Sequence, residues 1–129
     1  MNLLLIEPDR LLARTYQRAL ERNGGHQVFT AVSAQEAVHL SDQQKPDVVV
    51  LEMDLPRHNG VEFLYEFRSY PEWSDVPVII HSFVPPTELA AAATLENELG
   101  VVRVLYKPAT NLAQLCAAVE LSAPVPQKT

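Results

Sequence analysis

The chain has 129 residues, the size of a single domain that can bury its own core but not divide into two. Hydrophobic residues make up 47% and charged residues 20%, a balance that excludes a disordered or fibrous chain. The net charge of -6, from 16 acidic and 10 basic side chains with no basic cluster along the sequence, argues against nucleic acid as a direct ligand.

In chain order, "NLLLI" (2–6) predicts a first strand that ends at Glu7, Pro8 and Asp9. Leu12, Tyr16, Ala19 and Leu20 then recur at helical spacing until "NGG" (23–25) stops the helix. "HQVFTAV" (26–32) predicts the second strand, and Ser33 is placed to cap a helix over 34–43. "DVVVL" (47–51) is the third strand, followed by a helix over 60–69 with Phe63, Leu64 and Phe67 on one side. "VPVIIHS" (76–82) is the fourth, and a helix over 87–99 gathers Leu89, Ala92, Leu95 and Leu99. "VVRVLY" (101–106) is the fifth, followed by a helix over 110–121 carrying Leu112, Leu115, Cys116 and Val119. Residues 122–129 form a tail or the start of a linker after a domain spanning 1–121.

Three of the strands are almost continuously apolar, as strands covered on both faces must be. Alternation of five strands with five helices predicts a right-handed doubly wound α/β fold. Such folds place their working site at the carboxyl ends of the strands, beside the point where strand order reverses. Glu7, Asp9, Glu52, Asp54, Ser82 and Lys107 all fall there. Cys116, the sole cysteine, permits no intrachain disulfide. With no apolar run long enough to span a bilayer and no basic leader, a cytoplasmic protein is expected.

"PDVVVLEMDLPRHNG" (46–60), "VPVIIHS" (76–82) and "YKP" (106–108), together and in order, resemble the receiver domain of two-component response regulators, the CheY-like family. The resemblance covers residues 2 to about 121 and implies a flavodoxin-like (βα)5 sandwich with a parallel sheet in the order 2-1-3-4-5. In that family an aspartate ending the third strand takes a phosphoryl group with the help of magnesium. The resemblance puts the phosphoacceptor position at Glu52, the acidic pair at Glu7 and Pro8, the switch hydroxyl at Ser82 and the pairing lysine at Lys107. Pro108 is expected to follow a cis peptide as in the family. The family's switch aromatic corresponds to Val104.

Two departures bear on the chemistry. Magnesium needs oxygen ligands in near-octahedral geometry, and Pro8 has no side-chain oxygen to offer. Asp9 falls one residue late, where it suits the cap of the first helix. The extra methylene of Glu52 displaces its carboxylate by roughly 1.5 Å, and a misplacement of about 1 Å can cost on the order of 100-fold in rate. A degenerate or pseudo-receiver is therefore expected, without catalysis or cofactor, acting as a phosphorylation-independent or phospho-mimicking interaction domain. Its partners would be a histidine kinase, an output domain or another regulator, with no membrane contact.

The alternative is an atypical receiver in which Glu7, Glu52 and Asp54 still gather magnesium and a phosphoryl group is accepted. For Glu52 two roles stay open, imitation of a phosphorylated aspartate and a structural ion pair with Lys107. Asp54 is equally a surface charge. His81 alternates away from Ser82 and is read as a packed histidine, Trp73 as a core cover, and His26, His39 and His58 lack metal-ligand spacing. Val102, Val104 and Tyr106 on the fifth strand either feed a homodimer or partner face, built with the fourth and fifth helices, or simply join the core.

Overall fold

The computed structural model describes residues 1–89 and 92–123. Five parallel strands, β1 (Asn2–Ile6), β2 (Gln27–Ala31), β3 (Val48–Leu51), β4 (Val78–Ser82) and β5 (Val101–Tyr106), pair in the order β2-β1-β3-β4-β5. The helices are α1 (Arg10–Gly24), α2 (Ala34–Gln43), α3 (Gly60–Ser69), α4 (Ala92–Asn97) and α5 (Leu112–Ser122). Both β1 and β3 are paired on either side, so neither alternates; Leu3 to Ile6 and Val48 to Leu51 are all buried. This is the expected flavodoxin-like arrangement. Among the described residues no helix is long and apolar enough to cross a membrane.

Because successive strand residues point to opposite faces, the sheet divides the interior into two layers. Leu3, Leu5, Val48, Val50 and Ile79 meet Tyr16 and Leu20 of α1 and Leu115 and Val119 of α5. On the other face Leu4, Ile6, Val49, Leu51 and Ile80 meet the apolar sides of α2, α3 and α4. There Phe63, Phe67 and Trp73 form a stacked row with centroids 5.2 and 5.0 Å apart, and Trp73 is buried as expected.

Caps account for several boundaries. Asp9 accepts from the N–H groups of Leu11 and Leu12, Ser33 from Glu36 and Asn59 from Glu62. Gly25 then closes α1 with φ 64°, a left-handed conformation that suits glycine. β4 starts at Val78 rather than 76 because Pro77 has no N–H for the ladder, although its carbonyl still accepts from Val49 at 3.0 Å.

The predicted helix over 87–99 is shortened. Pro86 opens a 3-10 turn over Pro86–Glu88, and Leu89 with ψ 98° is extended, so no helix runs continuously from 87. Leu95 and Leu99 nonetheless reach the core and Leu89 packs beside them; the side chain of Ala92 lies outside the described residues. α5 starts at 112 because Asn111 and Gln114 form a reciprocal capping box, which leaves Leu112 exposed in the first turn rather than on the buried stripe. The tail expected over 122–129 lies outside the described residues from 124 onward.

β5 is an edge strand, but its register skips a residue. Val78 pairs with Val101 and Ile79 with Arg103, which leaves Val102 as a bulge with its side chain half exposed. Val104 is half-buried against the α4 layer and Leu105 against the opposite one. Every peptide bond among the described residues is trans. The expected cis bond before Pro108 is thus corrected: Lys107–Ala109 form a 3-10 turn closed by the Thr110 N–H on the Lys107 carbonyl at 3.2 Å, which a trans proline accommodates.

Candidate functional site

Four of the residues singled out from the sequence converge at the carboxyl edge of the sheet. Glu7 follows β1, and its N–H donates to the Ala31 carbonyl at 2.9 Å. Glu52 follows β3, held by its own N–H on the Ile6 carbonyl at 3.0 Å. Ser82 ends β4 and Lys107 follows β5. All four are buried.

Lys107 Nζ donates to Glu7 Oε1 and, at 2.7 Å, to Glu52 Oε1. Both carboxylates are thereby tied to one ammonium. Glu52 Oε1 also accepts the Phe83 N–H at 3.2 Å, while Oε2 accepts the Ser82 hydroxyl and, at 3.1 Å, the Asp54 N–H. Ser82 Oγ in turn accepts the Val84 N–H at 3.0 Å. Glu7 Oε2 accepts the Asp9 N–H at 3.1 Å. Among the described residues no buried side-chain nitrogen or oxygen is left without a partner, the condition under which a buried ionic cluster is tolerated.

The electrostatics follow. Burial by itself would push the Glu52 carboxyl up, but hydrogen bonds from Lys107 and Ser82 outweigh it and hold the group below its usual 4.5. Burial would likewise lower Lys107, yet its bonds to Glu52 and Glu7 raise it above 10.5. The ammonium also lies 4.6 Å from the Phe83 ring centroid and 5.8 Å from that of Tyr16. His81, packed edge-on to Tyr16 with centroids 4.8 Å apart, is driven down to about 4 by burial and by Lys107. It is the packed histidine expected from alternation, not a group facing the pocket.

The side chains of the remaining predicted residues do not join the Lys107 cluster, although Pro8, Asp9 and Asp54 line the same cavity. Asp9 spends its carboxylate on the cap of α1. Asp54 is exposed and contributes its backbone N–H. Pro8 lines the cavity of about 400 Å³ beside Glu7, Glu52, Asp54 and Phe83, with no oxygen to contribute. Val104 packs into the α4 layer. His26 pairs with Glu120, His39 with Gln43 and His58 with Glu62, each on separate partners. Among the described residues no group of three or more His, Cys, Asp or Glu is arranged to hold a metal ion. The two buried carboxylates that magnesium would draw on each commit an oxygen to Lys107.

Phe83 escaped the sequence reading. An aromatic residue directly after the hydroxyl of β4 was the available signal, and it supplies both a backbone donor to Glu52 and a ring over Lys107. Four arginines escaped it too. Arg10, Arg14, Arg18 and Arg22 are never adjacent in sequence, yet spacing by four aligns them along the exposed side of α1. The expectation of no basic cluster is corrected accordingly.

Comparison with known proteins bears on the whole chain. The curated transcriptional regulatory protein KdpE of the KDP operon in Escherichia coli K12 is 36% identical over 81 residues, covering 63% of this chain and 34% of that protein. The transcriptional regulatory protein PdtaR of Mycobacterium tuberculosis is 27% identical over 121 residues, covering 94% of this chain and 56% of that one. The chain thus spans between a third and somewhat over half of these relatives. A solved receiver domain of the Francisella response regulator 1452 superposes with TM-score 0.77 at 26% identity, covering 93% of each chain. Chemotaxis protein CheY4 of Vibrio cholerae shares the fold, with TM-score 0.81 at 19% identity over 94% of this chain and 97% of that one. The model of the response regulator receiver domain matches residues 3–120, nearly the full length, and the chain belongs to that family.

Proposed function

We propose that this receiver domain is a two-component signalling module whose site is filled by its own Glu52 carboxylate, so that its protein-binding state is set by sequence and not by phosphorylation. One observation carries this: Glu52 engages the Ser82 hydroxyl and the Lys107 ammonium together, the two groups that the family resemblance reserves for a phosphoryl group. The longer side chain reaches both, so the ion pair and the imitation are one geometry. The imitation is partial, since a carboxylate carries one charge and two oxygens against nearly two charges and three acceptor oxygens.

Magnesium does not fit the residues present. Pro8 offers no ligand, and displacing Lys107 from Glu7 and Glu52 would leave a buried ammonium unpaired. Val104 replaces the aromatic that couples the pocket to the outer face, which favours a fixed state over a switched one. The partner is another signalling protein, a histidine kinase, an output domain or a regulator. The docking face is α4, β5 and α5, with half-exposed Val102, Val104 and Tyr106 at its centre and a homodimer as one possible assembly.

Incubation with acetyl phosphate and magnesium, followed by intact mass measurement, tests the proposal. The wild-type mass is expected to stay unchanged. A phosphoryl adduct that disappears in Glu52→Ala would overturn it in favour of retained phosphotransfer. Pull-down with wild type and Glu52→Gln then separates imitation from a bare ion pair: imitation requires weaker partner capture by the variant, and equal capture assigns Glu52 to structure alone.

A further inference from the structure

We infer that a second cavity, on the far side of Pro8 from the Glu52 pocket, binds a small phosphate-bearing anion. It encloses about 430 Å³ between the segments that follow β1, β2 and β3, and its walls include Arg10, Ser33, Arg57, His58, Pro8 and Val32. Its volume falls within the range of small-molecule sites. A smaller cavity of about 180 Å³ adjoins it across Arg10 and Val32 and adds Arg14 and Thr30. Neither belongs to the phosphoacceptor pocket, and the inference does not depend on whether Glu52 is phosphorylated.

Charge selects the ligand. Among the described residues no carboxylate lies within ion-pair distance of Arg10, Arg14 or Arg57, in a protein whose net charge is -6. Of the acids near the walls, Asp9 turns Oδ1 to the α1 cap, Glu62 is paired with His58 at 3.0 Å and Glu36 lies in the first turn of α2; these keep their charge, so they compete with any anion for the arginines. Arg10 and Arg14, one helical turn apart, repel each other, an unfavourable arrangement that a shared anion would relieve. Guanidinium groups present planar paired donors that match phosphate oxygens.

Ser33 adds a neutral donor. Its oxygen accepts the Glu36 N–H, which leaves the hydroxyl proton free to point at an anion. The amino end of α2 at Ser33 adds a partial positive charge. Pro8, Val32 and Pro56 supply apolar wall, while Arg10, Arg57 and His58 remain exposed to solvent. Two adjoining spaces sharing Arg10 suit two linked phosphoryl groups, which makes pyrophosphate the appropriate probe.

Titration calorimetry of the full chain with pyrophosphate at about 150 mM salt is expected to show saturable one-site binding. In Arg10→Gln/Arg57→Gln the dissociation constant should rise at least about tenfold, while Arg103→Gln, an exposed arginine on β5, should match wild type. Unchanged thermal melts would verify that the variants fold. Lack of saturation in wild type, equal affinity in the double variant, equal loss in Arg103→Gln, or sulfate binding as well as pyrophosphate would each overturn the assignment.

Discussion

Lys107 is the residue on which the site turns. Its ammonium is the counter-charge to two buried carboxylates, and removing one member of such a cluster leaves the others uncompensated. Lys107→Met should therefore cost about 3–5 kcal/mol at neutral pH, read as a shift in the urea midpoint. Part of this should return in acid, where Glu52 can be neutralised. The Glu52 contribution has the sign of a depressed carboxyl: present above its ordinary value of 4.5, and lost as pH falls through the lower value of the folded state. His81 contributes over a different window. Held at about 4 against an ordinary 6.5, it binds fewer protons folded than unfolded between those values, so stability falls with acidification across that range. The loss approaches about 1.4 kcal/mol per pH unit at most. His81→Phe, which keeps an aromatic ring against Tyr16, should flatten that part of the profile in urea titrations taken from about pH 4.5 to 7.

At the scale of elements, α1 shows how spacing becomes a surface. The i, i+4 repeat of Arg10, Arg14, Arg18 and Arg22 sets three like-charge neighbours in line. Arg18→Glu converts two of them into opposite pairs, each worth about 0.2–0.5 kcal/mol, and a stability gain of up to about 1 kcal/mol should appear in urea denaturation and fade with salt. Arg68 illustrates the reverse case, a cation without a carboxylate bond that works as a staple. Its guanidinium donates to the carbonyls of Trp73 at 2.7 Å, Val76 at 2.6 Å, Leu99 at 2.9 Å and Gly100 at 3.3 Å, joining α3 to the entries of β4 and β5. Gly100, at φ 68°, has no room for a Cβ, which would fall 2.5 Å from the Arg68 side chain. Arg68→Leu should cost about 2–4 kcal/mol by removing the donor to the Val76 and Leu99 carbonyls, while those of Trp73 and Gly100 keep a backbone partner, measured by thermal and urea unfolding. Strand β5 also carries a structural answer to its own exposure: the bulge at Val102 interrupts the ladder that a flat edge would offer for pairing.

For the whole molecule, the absence of a fitting metal ligand at Pro8 has a measurable consequence. A ligand that binds only the folded state stabilises it in proportion to the logarithm of concentration over Kd. Magnesium at about 10 mM should leave the melting temperature of the wild type within about 1 °C of its metal-free value, while Pro8→Asp/Glu52→Asp should gain several degrees. A shift in wild type comparable to that of the double variant would count against the proposed loss of metal binding.

Much of this was legible in the amino-acid order alone. Apolar runs at 2–6 and 47–51 identify strands covered on both faces, since only a central parallel strand can afford to bury every side chain, and alternation with helices gives a doubly wound fold, whose strand order the family resemblance then implies. Within the receiver-domain resemblance, the spacing from Glu52 to Pro56 and the run Tyr106–Lys107–Pro108 pointed to residues of the pocket. Other features needed the folded chain. That Lys107 reaches both Glu7 and Glu52, residues 100 and 55 positions away, follows from β1 and β3 ending side by side while Lys107, after β5, reaches them across the end of β4, a distance no local pattern encodes. The break between Pro86 and α4 was decided by backbone geometry that competed with a good helical pattern, and the cavity at Arg10 and Arg57 by loops that meet only when β1, β2 and β3 pair. The sequence determined which groups arrive at the carboxyl edge, because strand length and alternation are local. Tertiary structure decided that Glu7 joins the expected Glu52–Lys107 pair on one ammonium, because a buried charge takes whichever partner the packing brings within hydrogen-bond reach.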